Sequence, residues 1–216
     1  MQHLEFRNGF AKLLAGVMTL TLLGALFSWW TLGLPLAAHE NGPLEWVQEA
    51  ALLAAAVFSG AAAAGLRGPE RIAAYLATLL YLVFLLRELE LPPVGPVTTY
   101  LASDAFRWHE ALALVVLVLP CLVRGWRHWR TFLAYGLSLR GWPFAVAAGL
   151  VGLGAVFDGA PHFAGVAWLG TFLEETAELL GYVVLATAAG WVLAGIRSEA
   201  TTDAVALRGA DPIGSQ

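Results

Sequence analysis

The chain's 216 residues are 59% apolar and 13% charged, with a mean hydropathy of +0.70, whereas soluble domains carry about 25% charged and about 45–50% apolar residues. That balance excludes a disordered chain, a secreted disulfide scaffold and an ordinary soluble enzyme, and the lone Cys121 excludes an internal disulfide or a CxxC site. The formal net charge of −4 offers no basic surface for nucleic acid and conceals a strong asymmetry along the chain.

About 20 apolar residues cross a bilayer core as a helix, and six stretches qualify. The first, Phe10–Leu34, is followed by a signal-peptidase-like Leu36-Ala37-Ala38. Its apolar run is longer than the about 7–15 residues of a signal-peptide core, so it is read as a retained helix. The second, Leu44–Leu66, opens after the turn residues Asn41-Gly42-Pro43, and the third, Ile72–Leu91, after Gly68-Pro69. Pro92-Pro93 and Gly95-Pro96 separate the third from the fourth, Phe106–Val123. The fifth, Trp142–Phe157, is short and is expected to run on towards Ala160; it carries Ala148-x3-Gly152, a small-residue surface suited to close helix packing. Gly159-Ala160-Pro161 precedes the sixth, Thr171–Ile196. The period-two alternation of a membrane barrel is absent. The expectation is an all-α fold, a polytopic membrane helical bundle with six transmembrane helices. Residues 1–197 form one transmembrane domain, and the polar residues 198–216 a flexible cytoplasmic tail.

Orientation follows from Lys and Arg, which concentrate on the cytoplasmic side. Arg7, Lys12, Arg67, Arg71, Arg124, Arg127, Arg130, Arg140, Arg197 and Arg208 fall on one side, and only Arg87 and Arg107 on the other. Both termini are therefore expected in the cytoplasm. The acids distribute oppositely. Glu40, Glu45, Glu49, Glu88, Glu90, Asp104, Glu110, Asp158, Glu174, Glu175 and Glu178 lie outside, together with His39, His109 and His162.

Part of this pattern is ordinary helix chemistry, because acids suit helix N-termini. Thr171-x-x-Glu174 reads as a capping box, Glu45 as a first-turn acid after Pro43, and Asp104 as an N-cap. Glu49 and Glu178 fit that account poorly. They lie a turn deeper than Glu45 and Glu174, on the same faces. Glu88 and Glu90 close an ascending helix, where the dipole disfavours carboxylates. Ionisable groups within spans are costly and point to function.

Carboxylates converging from several helices need compensation. Arg87 or Arg107 can pair with them, protons can be shared, or a divalent cation can sit among them. Oxygen donors with one or two imidazoles suit Zn, Mn or Fe; oxygen alone suits Ca or Mg. The candidate metal ligands are Glu45, Glu49, Glu88, His109, Glu110, His162, Glu174, Glu175 and Glu178. Glu49, Glu88, Glu110, Glu178 and His109 are candidate catalytic acids or bases, and Arg87, Arg107 and Gln48 candidate substrate contacts, the arginines for an anionic headgroup.

The segment Glu40-Asn41-Gly42-Pro43-Leu44-Glu45-Trp46, with Arg87-Glu88-Leu89-Glu90 and Glu174-Glu175-x-x-Glu178, resembles a group of small bacterial multi-pass membrane proteins. They share an E-[DN]-G-x-x-E-W opening, an R-E-x-[DE] segment and a final E-E-x-x-E. The resemblance covers about residues 38–185 and implies a bacterial inner-membrane location; no reaction comes with it. Ceramidase-like zinc hydrolases offer a chemical analogy through Ser103, Asp104, His109, Asp158 and His162, with a different span number and His spacing. The Glu-Glu-x3-Arg of CAAX-type proteases and the Gly-x-Ser-Gly of rhomboids are absent, and Lys12 is too near a helix end for a retinal Schiff base. Three functions stay open. The first is an outward-facing cation or metal site, with lipid hydrolysis as its chemistry. The second is an accessory subunit that packs on a membrane partner or on a second copy. The third is a cation- or proton-coupled transporter, which the apolar inner halves of the helices disfavour.

Overall fold

The structure, a computed structural model, describes residues 4–6, 8–39, 41–89, 94–159 and 162–209. Arg7, Glu40, Glu90, Leu91, Pro92-Pro93, Ala160-Pro161 and Asp211 lie outside the described residues. Among the described residues, six helices are long and apolar enough to cross a membrane, one for each predicted span.

Helix α1 (Asn8–Leu32) ends at Gly33, whose φ of 78° breaks the helix before the short α2 (Leu34–Ala37). Helix α3 (Pro43–Gly65) starts on Gly42 and Pro43. Gly42 is required there. Its N–H donates to the His39 carbonyl at 2.8 Å, and a Cβ on it would fall 2.4 Å from that oxygen. Helix α4 (Gly68–Glu88) follows a two-residue link and carries Glu70 in its first turn and Arg87 in its last, both matching the dipole. The short α5 (Pro96–Leu101) leads into α6 (Asp104–Gly125), whose N-cap is Ser103 and not Asp104. The Ser103 Oγ accepts from the Phe106 N–H at 3.3 Å. Helix α7 (Trp129–Gly136) precedes α8 (Trp142–Phe157), and α9 (Leu169–Gly209) closes the fold. The α9 helix continues through the first residues that the composition marks as a tail.

Helix α8 stops at Phe157 and does not run on towards Ala160, because Asp158 leaves helical geometry at ψ 132°. A two-stranded hairpin that the sequence reading lacks follows, β1 (His162–Phe163) and β2 (Val166–Ala167). Ala164 and Gly165 both take positive φ, as a tight hairpin turn requires.

Helix α9 is the axis of the bundle, packed against α3, α8 and α1, with α4 on the far side of α3 and α6 outermost against α4. In lipid the association rests on close van der Waals contact rather than water exclusion, so small residues mark the tight seams. The α8 seam is not Ala148 and Gly152, which are exposed. It is the buried Ala147 and Gly154, seven residues apart. A Cβ on Gly154 would come within 2.7 Å of Glu178 Cγ, and one on Gly181 within 2.8 Å of Val151 Cγ2. On α3 the buried stripe includes Ala55, Ala56, Ser59, Ala62 and Ala63. Phe6, Phe10, Trp142, Phe144 and Trp191 form an aromatic cluster where α1, α8 and α9 meet.

Short connections make consecutive spans antiparallel. The starts of α3, α6 and α9 therefore gather at one end with the ends of α1, α4 and α8. Contacts from Trp29 to Phe172, Glu88 to Tyr182, Gln48 to Glu175 and Gly154 to Glu178 bear this out.

Candidate functional site

The acids of α3, α4 and α9 meet at that end. Glu45, Gln48 and Glu49 stand at i, i+3 and i+4 on α3; Glu45 and Gln48 meet the turn of α9 that holds Glu174, Glu175 and Glu178, and Glu49 is coupled to Glu88 of α4. Glu45 is buried and accepts a hydrogen bond from the Asn41 N–H, which ties the turn before α3 to the helix's first turn. Gln48 is the central side chain and is 0% exposed. Its Nε2 donates to the Glu175 carbonyl and to Glu175 Oε2, both at 2.8 Å, which tethers α3 to α9. Both partners are acceptors, so the amide orientation follows from its surroundings. Gln48 Oε1 is buried and has no hydrogen-bond partner among the described residues. An orphan acceptor of this kind costs about 1–3 kcal/mol unless something supplies a positive charge or a proton.

A second arm runs to α4. Tyr182 Oη donates to Glu88 Oε1 at 2.8 Å, and the Glu178 side chain lies over Gly154 of α8, which has no side chain to block it. Electrostatic coupling links the group. Glu175 feels Glu45, Glu174 and Glu178; Glu178 feels Glu88, Glu174 and Asp158; and Glu49 feels Glu88. Arg87 acts on Glu178 and Tyr182 as the opposing charge. Such an array needs added positive charge to hold several ionised carboxylates.

The structure divides the predicted site residues. Glu45, Gln48, Glu49, Glu88, Glu174, Glu175 and Glu178 belong to one coupled group. His109 does not join it: its Nδ1 is hydrogen bonded to Tyr100 Oη at 2.7 Å on exposed α6. His162 sits in the exposed hairpin. Arg107 and Glu110 line a separate cleft with Arg87 and Asn41, of about 660 Å³, between α4 and the start of α6. Among the described residues, no three His, Cys, Asp or Glu side chains stand close enough together to hold a metal ion by themselves.

Tyr182 is the partner that the sequence reading misses, although it lies four residues beyond Glu178 and hence on the same face. Gly154 is the other, since a glycine that makes room for a facing carboxylate leaves no mark in its own sequence. Beneath Gln48 the group ends abruptly. Leu52 of α3 and Val184 of α9 are fully buried, with Ala55, Ala56 and Ala188 below them. Comparison with protein-family models, with curated proteins and with solved structures finds no match to the chain.

Proposed function

We propose that this is a bacterial inner-membrane protein with both termini in the cytoplasm, whose acidic end faces the periplasm and binds a hard divalent cation, Mg²⁺ or Ca²⁺. Orientation rests on the ten basic residues opposite the acidic end. The observation that carries the reading is the orphan Gln48 Oε1, a buried amide oxygen on the side chain that is bonded to Glu175. Glu45 and Glu175 with this oxygen make an all-oxygen donor set, and water completes the shell as it does where Mg²⁺ rests on one or two carboxylates. His109 and His162 stand elsewhere, so softer Zn-type coordination has less support than hard-cation binding. The apolar packing below Gln48 supports a site open at one end over a path through the bundle.

The test is thermal unfolding of detergent-purified protein titrated with MgCl₂ or CaCl₂, with choline chloride matching ionic strength. Unfolding is expected to shift upward by about 2.7 kcal/mol at a hundredfold excess over Kd. Glu175→Gln should lose most of that shift while keeping its fold. A response equal to that of choline chloride, or an unchanged response in Glu175→Gln, overturns the reading and leaves the accessory role.

A further inference from the structure

We infer that the groove between α4 and α6 holds one glycerophospholipid, with its phosphodiester between Arg87 and Arg107 and an acyl chain lying between the two helices. This does not rest on the cation reading, because its residues lie outside the Glu45–Gln48–Glu175 set.

Two adjoining hollows carry the inference. The polar cleft holds Arg87, Arg107, Glu110 and Asn41. Beside it runs an apolar groove of about 350 Å³, whose walls include Leu79, Leu82, Leu114 and Leu117. Val83, Leu86, Phe106 and Glu110 line both, so the two form one continuous depression from headgroup level into the bilayer interior. The groove exists because α6 touches the bundle mainly through α4, and only Gly125 at its far end is buried. Ala113 of α6 lines the groove with a side chain too small to fill it.

The charge at the mouth selects the occupant. Neither guanidinium forms an ion pair within 4.0 Å with a described residue, and both side chains are exposed. The two guanidiniums at the mouth can flank one phosphodiester, Arg87 also opposing the charge of Glu178 and Glu110 lining the same cleft. Arginine binds phosphate through parallel N–H donors, and basic pockets between transmembrane helices recognise anionic headgroups. A lipid with one negative charge and no ammonium, such as phosphatidylglycerol, offers its phosphate to the two guanidiniums without a competing cation. A zwitterionic phosphatidylethanolamine brings its own ammonium against the same two guanidiniums.

Native mass spectrometry of the full chain, equilibrated with equal amounts of phosphatidylglycerol and phosphatidylethanolamine in detergent, tests this. One retained phosphatidylglycerol per chain is expected, in preference to phosphatidylethanolamine. Arg107→Gln should lower retention about fivefold or more. Ala113→Trp, which fills the groove without touching either arginine, should abolish it. Both positions are exposed on α6, and circular dichroism checks that the variants fold. Glu175→Gln should retain lipid like the unaltered chain, which separates this site from the cation site. Equal retention of both lipids, retention unchanged in either variant, or equally tight binding of water-soluble glycerophosphoglycerol overturns the inference.

Discussion

Replacing Gln48 with Met removes the amide while keeping an unbranched side chain of similar length in a fully buried position. Two hydrogen bonds of 2.8 Å disappear. The one to the Glu175 carbonyl is worth about 1 kcal/mol, because a mid-helix carbonyl keeps its own helical donor. The one to the Glu175 carboxylate is charge-assisted and worth about 1.5–3 kcal/mol. Against these stands the removal of the orphan Oε1, which returns about 1–3 kcal/mol. In cation-free buffer the terms partly offset, and Gln48→Met is expected to lose roughly 0–3 kcal/mol. With Mg²⁺ at a hundredfold excess over Kd, the unaltered protein gains about 2.7 kcal/mol. The variant lacks one of three protein donors and gains much less. The gap between the two proteins should therefore widen by about 2 kcal/mol on adding Mg²⁺. Denaturant unfolding in detergent micelles, followed by tryptophan fluorescence with and without Mg²⁺, measures this. A gap of the same size in both buffers would refute the reasoning that the orphan oxygen is a cation ligand.

Gly154→Ala places a methyl group 2.7 Å from Glu178 Cγ and 3.3 Å from the Glu174 carbonyl. It should destabilise by about 1–3 kcal/mol, while Gly152→Ala, with no atom within 4 Å of its Cβ, should not; thermal unfolding of both compares them. Gly42→Ala drives a Cβ into the His39 carbonyl oxygen and should cost at least as much as Gly154→Ala, because backbone yields less readily than a carboxylate side chain; the same assay ranks the two. Tyr182→Phe removes the hydroxyl donor to Glu88 and should lose about 1.5–3 kcal/mol. If denaturant unfolding shows no loss, the hydroxyl adds nothing to stability there.

Each of the six spans, the turn residues that open α3 and α4, and the segregation of acids from basic residues were readable in the order of amino acids alone. The reason is that lipid obliges a spanning segment to be apolar for its full length and to satisfy its own backbone, so every span announces itself locally. The i, i+4 spacing of Glu45 with Glu49, and of Glu174 with Glu178, likewise placed each pair on one face before any packing was known. Which faces meet was a different matter. The sequence offered Glu49, Glu178, His109 and His162 as equals, and packing separated the imidazoles from the acids. The pairing of Gln48 with Glu175, the room that Gly154 makes for Glu178 and the groove beside α6 depend on how each helix is rotated about its axis. So does the choice of Ala147 and Gly154 over Ala148 and Gly152 as the tight seam. Apolar side chains all round a helix give that rotation no signature, because lipid and neighbouring helices are equally apolar surroundings; contact between shapes decides it, and only the assembled bundle contains that contact.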